Sequence, residues 1–237
     1  MTAGSRRCCC ATAGNSASKT AQSQSSSNRY AAKGYERGWP RPRPARGQPA
    51  LFDAVWVAYR CRGNDCVKGT AFHVGDGLFY TNAHVARVET GFGPLRLARG
   101  RPRQELGPAE VVCINRRSGA SAAAAPYDIA KVRVDARRAR RLPALRLYRW
   151  TPMPGMRVRV VGYPGGLWTP VVAEGTITEH LEDQVFSFEV RRGLVAPGSS
   201  GSPVLAASGE VVGMVYAEGG GLLFATALNW VLDRTCR

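Results

Sequence analysis

Histidine is the scarcest chemistry-bearing residue in this chain: His73, His84 and His180 are the three in 237 residues. A site that needs an imidazole has only these to choose from. Acids are few as well, 17 against 33 lysines and arginines, which leaves a net charge of +16. No run approaches the ~18 apolar residues that a membrane-crossing helix requires, and no secretory hydrophobic segment stands near the N-terminus. The seven cysteines are Cys8, Cys9, Cys10, Cys61, Cys66, Cys113 and Cys236. They form no paired Cys-x2-Cys spacing and have no spaced histidines beside them, so neither a metal site nor another cofactor is expected. Cys61 and Cys66 bracket Arg62-Gly63-Asn64-Asp65 and can face each other across a hairpin, a geometry that admits a disulfide. The odd total argues against a secreted disulfide framework, so the expected compartment is reducing and intracellular.

What the chain does have is uneven. Residues 1–50 carry nine Lys/Arg and one acid, Glu36, half the net charge in about a fifth of the length. Residues 11–28 are Ser/Ala/Thr/Gln-rich, and 33–49 alternate Arg, Pro and Gly. Such a segment buries too little apolar surface to offset its ordering entropy, and disorder is expected. Three readings of this tail stand side by side: an organelle transit peptide, a basic arm with Tyr30, Tyr35 and Trp39 for non-specific nucleic-acid contact, or a solvated linker.

From Leu51 onward short apolar runs alternate with turn signals, the pattern of an all-β barrel or sandwich. Phe52–Arg60, Val67–Val74 and Leu78–Asn82 read as strands joined at Gly63-Asn64-Asp65 and Gly75-Asp76-Gly77, and 83–87 as one helical turn. Pro94–Ala98, Ala109–Asn115 and Tyr127–Val134 complete a first unit, with Arg99–Glu105 as a basic loop. A linker, 135–153, carries Arg137-Arg138-Ala139-Arg140-Arg141. Six more strands follow, and 227–234 reads as an amphipathic helix. The expectation is a tail over 1–50 and a domain over 51–237, with barrel one about 51–134 and barrel two about 154–237.

The chemistry gathers at Val195-Ala196-Pro197-Gly198-Ser199-Ser200-Gly201-Ser202-Pro203. A serine between glycines sits on a sharply turned backbone that only glycine accommodates cheaply. Such a turn exposes the Ser200 hydroxyl and aims the N–H groups of Gly198 and Ser200 at one point, as a developing oxyanion requires. The alternative is an ordinary surface turn. An unactivated hydroxyl needs a base. His73 lies inside a strand and His180 among acids, whereas His84 follows a strand at the start of a helical turn. A base needs an orienting carboxylate, and Asp128 shares a strand face with Ala130, Val132 and Val134, where an acid is costly unless partnered. A turn-bound Asp is the alternative there.

Gly69-Thr70-Ala71-Phe72, Thr81-Asn82-Ala83-His84-Val85, Asp128-Ile129-Ala130 and Gly198-Ser199-Ser200-Gly201-Ser202-Pro203 occur in the order His, Asp, Ser. This set resembles the chymotrypsin-fold (trypsin-like) serine proteases, nearest to the HtrA/Deg branch and the related proteases of positive-strand RNA viruses. The resemblance covers about 52–233. It implies two antiparallel six-stranded β-barrels with a short C-terminal helix, meeting at a catalytic crease. It also implies a serine endopeptidase with Ser200 as nucleophile, His84 as base and Asp128 as its orienter. Gly198 and Ser200 then form the oxyanion hole, and the reaction passes through an acyl-enzyme. By position Leu194 falls at the base of the S1 pocket and Leu222 or Leu223 in its wall, while the strand Val215-Tyr216-Ala217 pairs with substrate. Glu218 stands at the rim. An apolar P1 residue is expected.

Three departures matter. Ser199 replaces the Asp that digestive relatives pair with a new N-terminus, so activation by N-terminal cleavage is not expected. Val85 replaces the cysteine that those relatives place after the histidine. Ser202 replaces the usual glycine. HtrA/Deg proteins usually carry PDZ domains after the protease, and the stop at Arg237 keeps the viral reading in play. The expected partner is a protein or polyprotein substrate. The rival function is a viral polyprotein-processing or capsid-type protein of this fold that chiefly binds nucleic acid through its basic segments.

Overall fold

The computed structural model describes residues 51–87, 91–100, 102–115, 127–181, 185–192, 196–219 and 222–228. These lie within one compact unit, Pro40–Arg237. The expected tail and nearly all of the expected closing helix fall outside the described residues, although Leu228 is buried at their edge.

After a 3-10 turn at Leu51–Ala54, β1 (Val55–Arg62) and β2 (Asp65–Gly75) form a hairpin closed by Gly63-Asn64, with Arg62 opposite Asp65. Gly63 has φ +58°, which a two-residue hairpin turn calls for. Cys61 and Cys66 are directly opposite in this register, and a disulfide joins them with Cα atoms 4.1 Å apart. Cys113 is disulfide-bonded as well. The odd cysteine count is therefore no guide to disulfide formation: cross-strand geometry decides the bond.

β2 turns at Asp76-Gly77 into β3 (Leu78–Thr81), which leads into the single helical turn α1 (Ala83–Ala86). β4 (Arg96–Arg99), β5 (Gln104–Pro108), β6 (Glu110–Ile114) and β7 (Ala130–Arg133) complete a sheet of order β5-β4-β1-β2-β3-β7-β6. This first unit departs from the expected closed six-stranded barrel, having seven strands and two edges. The edges are nonetheless successive pieces of one run, Gln104–Ile114, interrupted at Ala109. Pro108 cannot donate to a ladder, and Ala109 N–H turns aside to Leu95 O at 2.8 Å. The bend lets one stretch pair with β4 on one side and β7 on the other, so the sheet curls back on itself.

The linker contains a short helix, α2 (Ala136–Ala139), capped by the Asp135 side chain on Arg137 N–H at 2.9 Å. Beyond it, β8 (Arg157–Gly162), β9 (Val171–His180), β10 (Val185–Arg192), β11 (Pro203–Ala206), β12 (Val211–Gly219) and β13 (Leu222–Ala227) close a six-stranded barrel. All paired strands of both sheets run antiparallel. The chymotrypsin-like all-β architecture is therefore present.

Strand alternation explains where the cores sit. In β1, Trp56 and Ala58 point into the first barrel with Phe79, Leu97 and Val132. Val55, Val57 and Tyr59 point the other way, into a seam shared with Ile129, Val161, Tyr163, Leu205 and Met214 from both units. Phe186, Phe188, Ile177 and Leu223 fill the second barrel. β1 is thus buried on both faces along Val55–Arg60. Burying a Phe or Val side chain is worth roughly 1.5–3 kcal/mol, so this seam fixes the two barrels against each other.

Candidate active site

The β3–α1 corner carries His84 toward solvent while its neighbours Ala83, Val85 and Ala86 are buried. Two buried side chains hold the corner. The Arg60 guanidinium donates to Ala86 O, at the end of the helical turn. Asn82, wholly buried at the N-cap, makes no side-chain cap; its amide donates instead to Asp128 O at 2.7 Å.

Asp128 lies just ahead of β7, beyond the strand itself. The alternation used to place it holds for Ala130, Val132 and Val134, which are buried, and Arg133, which is exposed. Its orientation comes from its partners. Oδ2 is 2.5 Å from His84 Nδ1, and Oδ1 accepts the His84 backbone N–H at 2.9 Å. The carboxylate is 13% exposed and the imidazole 51%. This two-point grip places Nδ1 against the acid and leaves Nε2 on the half-exposed side of the ring. His73 is a different case. It is buried, with Nδ1 on Pro143 O at 3.0 Å and Nε2 accepting Gly77 N–H at 3.3 Å, so both nitrogens are committed to structure.

Ser200 lies on the loop before β11. A Cβ on Gly69 would strike the Val85 side chain at 2.6 Å and reach Ser200 O at 3.3 Å, so Gly69 keeps the His84 corner and the nucleophile loop in contact. Among the described residues no hydrogen bond joins Ser200 Oγ to His84; such bonds commonly tighten only with substrate in place. The loop's backbone is sorted in a telling way. Ser199, Gly201 and Ser202 N–H donate to Ala196, Val215 and Ser199 carbonyls at 3.0, 2.9 and 3.0 Å. The N–H groups of Gly198 and Ser200 have no acceptor among the described residues. Gly198 has φ +104° and Gly201 φ +86°, backbone that side chains rarely adopt.

Of the expected substrate contacts, Leu194 lies outside the described residues. Val215 needs correction: its side chain is in the second barrel's core, and both its backbone groups are bonded to Gly201 and Ser202. Its N–H is already used, and its carbonyl is shared with the loop. Beyond it Tyr216 is the extra residue of a bulge in the β12–β13 ladder, half-buried, with its phenol pushed above the ordinary range by that burial. β12 continues past the end of β11 through Ala217 to Gly219, so that edge has no strand beside it among the described residues. Leu222 is half-buried opposite Gly219. Arg137, Arg138, Arg140 and Arg141 are exposed on α2 and the turn after it. Among the described residues no group of three or more His, Cys, Asp or Glu is placed to hold a metal ion, and no helix is long and apolar enough to cross a membrane.

No curated protein matches the chain. Solved structures do. The active form of the Rv3671c protease from M. tuberculosis is 21% identical with a TM-score of 0.62, covering 82% of this chain and 86% of that one. The serine endoprotease from Yersinia pestis is 21% identical with a TM-score of 0.61, covering 77% and 61%. The HtrA-type protease AlgW with tripeptide is 21% identical with a TM-score of 0.60, covering 77% and 58%. At that identity the likeness is one of fold. Residues 69–214, more than half the chain, match the family model described as trypsin-like peptidase domain, and it is to this family that the protein belongs.

Proposed function

We propose that the protein is a serine endopeptidase that works through Ser200, His84 and Asp128. The observation that carries this reading is the pair of hydrogen bonds that His84 gives to the Asp128 carboxylate, which holds the imidazole with Nε2 free to accept a proton. Ser200 Oγ attacks the substrate carbonyl carbon as Nε2 takes the hydroxyl proton. The carbonyl oxygen gains the negative charge, and the N–H groups of Gly198 and Ser200 receive it. Collapse breaks the C–N bond, His84 donates its proton to the leaving amine, and an acyl-enzyme remains on Ser200. Water then attacks with His84 again as base, releasing the acid and restoring the hydroxyl. Asp128 stabilises the imidazolium throughout.

An extended peptide adds beside Tyr216 and Ala217 on the open edge of β12, the mode in which main-chain bonds give affinity and side-chain pockets give selectivity. Leu222 and Leu194 make the P1 preference apolar. The domain over 51–237 is the part that carries this activity, with proteins or polyproteins as substrates.

A fluorophosphonate probe and a peptide library test the reading together. The wild type should label at Ser200 and cleave after Val, Ala or Leu, while Ser200→Ala should lose both signals and keep its melting temperature. Undiminished turnover by Ser200→Ala would overturn it, and dominant cleavage after Arg or Lys would overturn the apolar P1.

A further inference from the structure

The four peptide groups running from Pro197 to Gly201 are all anchored by their carbonyls. Pro197 O accepts Gly165 N–H at 2.8 Å and Ser199 O accepts Ser202 N–H at 3.0 Å. In a trans peptide the N–H points opposite the carbonyl. These two anchors therefore point the Gly198 and Ser200 N–H groups away from Gly165 and Ser202, and neither N–H finds an acceptor among the described residues. The carbonyls of the other two peptides are both bonded by one residue, while their N–H groups are held by Ala196 O and Val215 O. Thr70 Oγ1 donates to Gly198 O at 2.9 Å, and Thr70 N–H donates to Ser200 O at 2.8 Å.

We propose that Thr70 is the positioning residue of the oxyanion hole, fixing the peptides on either side of the Ser199–Ser200 bond so that both donors face one point. The proposal rests on Ser200 acting as nucleophile. The direction of the hydroxyl bond is not free. Tyr163 N–H, which can only donate, gives its proton to Thr70 Oγ1 at 3.2 Å, so the hydroxyl's own proton goes to Gly198 O. Thr70 is fully buried on β2 and meets Ser200 only through backbone atoms. Its carbonyl accepts Thr81 Oγ1–H at 2.7 Å, and Thr81 ends the strand that delivers His84. One residue therefore ties the nucleophile loop to the base-bearing strand and to the Tyr163 turn. The close approach is built in: a Cβ on Gly201 would lie 1.9 Å from Thr70 O and one on Gly198 2.6 Å from Tyr163 O.

The proposal also answers what replaces an ion pair at this loop. Ser199, where digestive relatives carry Asp, offers no charge for a new N-terminus. Neutral bonds from Thr70 and Gly165 hold the peptides in its place.

The test compares Thr70→Val, Thr70→Ala and Thr70→Ser with the wild type in the full chain. Thr70→Val keeps the shape and removes the hydroxyl, stranding Gly198 O and Tyr163 N–H unless the 198–199 peptide turns. Outright loss of an oxyanion donor costs about 10²–10³ in kcat. An indirect loss should cost less, about 10- to 100-fold, with KM within about threefold. Binding of a peptide aldehyde, whose adduct places an oxyanion in the hole, should weaken by the same factor. Binding of the matching peptide alcohol should stay unchanged, and Thr70→Ser should recover kcat to within about threefold. A folded Thr70→Val with unchanged kcat, equal losses for aldehyde and alcohol, or no recovery in Thr70→Ser would overturn the proposal. So would failure of both Thr70→Val and Thr70→Ala to fold, which would make the hydroxyl a requirement of the fold. A wild type that cleaves nothing and takes no fluorophosphonate would bring down the catalytic reading, a result visible before any Thr70 variant is compared.

Discussion

Replacing Asp128 with Asn tests the site at its best-defined contact. The wild-type carboxylate accepts twice, from His84 Nδ1–H at Oδ2 and from His84 N–H at Oδ1. An amide has one oxygen and one NH2 to offer those two donors. If the oxygen takes the ring, the NH2 meets the backbone N–H, a donor against a donor that nothing can invert. The backbone cannot change its proton, but the ring can. The amide oxygen therefore goes to the backbone and the NH2 to Nδ1, and the imidazole proton moves to Nε2. A protonated Nε2 cannot accept from Ser200. By analogy with the same change in trypsin, kcat should fall about 10⁴-fold, which is about 5.5 kcal/mol of transition-state stabilisation. A fluorogenic peptide with an apolar P1 reads the loss, and fluorophosphonate labelling of Ser200 should slow in step. The fold should survive, because Asn is nearly isosteric and keeps both contacts, one with its donor and acceptor exchanged. A folded Asp128→Asn retaining more than a tenth of wild-type kcat would show that His84 is not oriented by this acid.

Three further substitutions test local packing and bonding. Gly201→Ala places a Cβ against Thr70 O at 1.9 Å with φ at +86°, so it should destabilise by about 3 kcal/mol or more. Gly63→Ala, with φ +58° and nothing within 4 Å, should cost only about 1 kcal/mol, and equal urea midpoints for the two would refute the packing argument. Tyr163→Phe removes a buried phenol that donates to Val55 O at 2.7 Å, costing about 1 kcal/mol at neutral pH. Burial holds that phenol's proton on well above the ordinary range, so its contribution is whole below pH ~10 and falls as pH rises further, at about 1.4 kcal/mol per unit. Melting temperatures of wild type and Tyr163→Phe should therefore converge above pH ~10, and a constant gap would contradict the assignment.

The fold was legible wherever both faces of a strand announced themselves. Val55–Arg60 and the six strands of the second barrel were readable from apolar runs between turn residues, to within a residue or two at most ends. β5 was not, because Gln104-Glu105-Leu106-Gly107-Pro108 has no alternation and contains both breakers. It is a strand because β4 offers it an edge, which is a tertiary fact. α2 was missed for a related reason. Four residues of Ala and Arg carry no periodicity, and the cap on Asp135 and the bond from Arg138 Nη1 to Leu106 O are what settle it.

The site divides along the same line. Residues that do chemistry are chosen for side-chain type, so a Ser between glycines and one His among three were visible in one dimension. Residues that hold those groups in place are chosen for where the chain returns, and although Thr70 and Asn82 lie inside the motifs, nothing in their type or in Arg60's announces the partner each finds. Asn82 reaches Asp128 across 46 positions, and Thr70 reaches Gly198 across 128. Val215 shows the cost of reading a site by motif alone. Its place next to Tyr216 suggested a substrate contact, but an interior side chain and two engaged backbone groups leave it only a supporting part. The same contacts show why the substrate edge begins where it does. Gly201 and Ser202 occupy the β12 edge at Val215, as a further residue of β11 would. The nucleophile loop thus ends one strand pairing and leaves the next stretch of β12 open to a peptide. On the proposed reading, a peptide paired with that edge would be brought alongside Ser200 by the ladder itself.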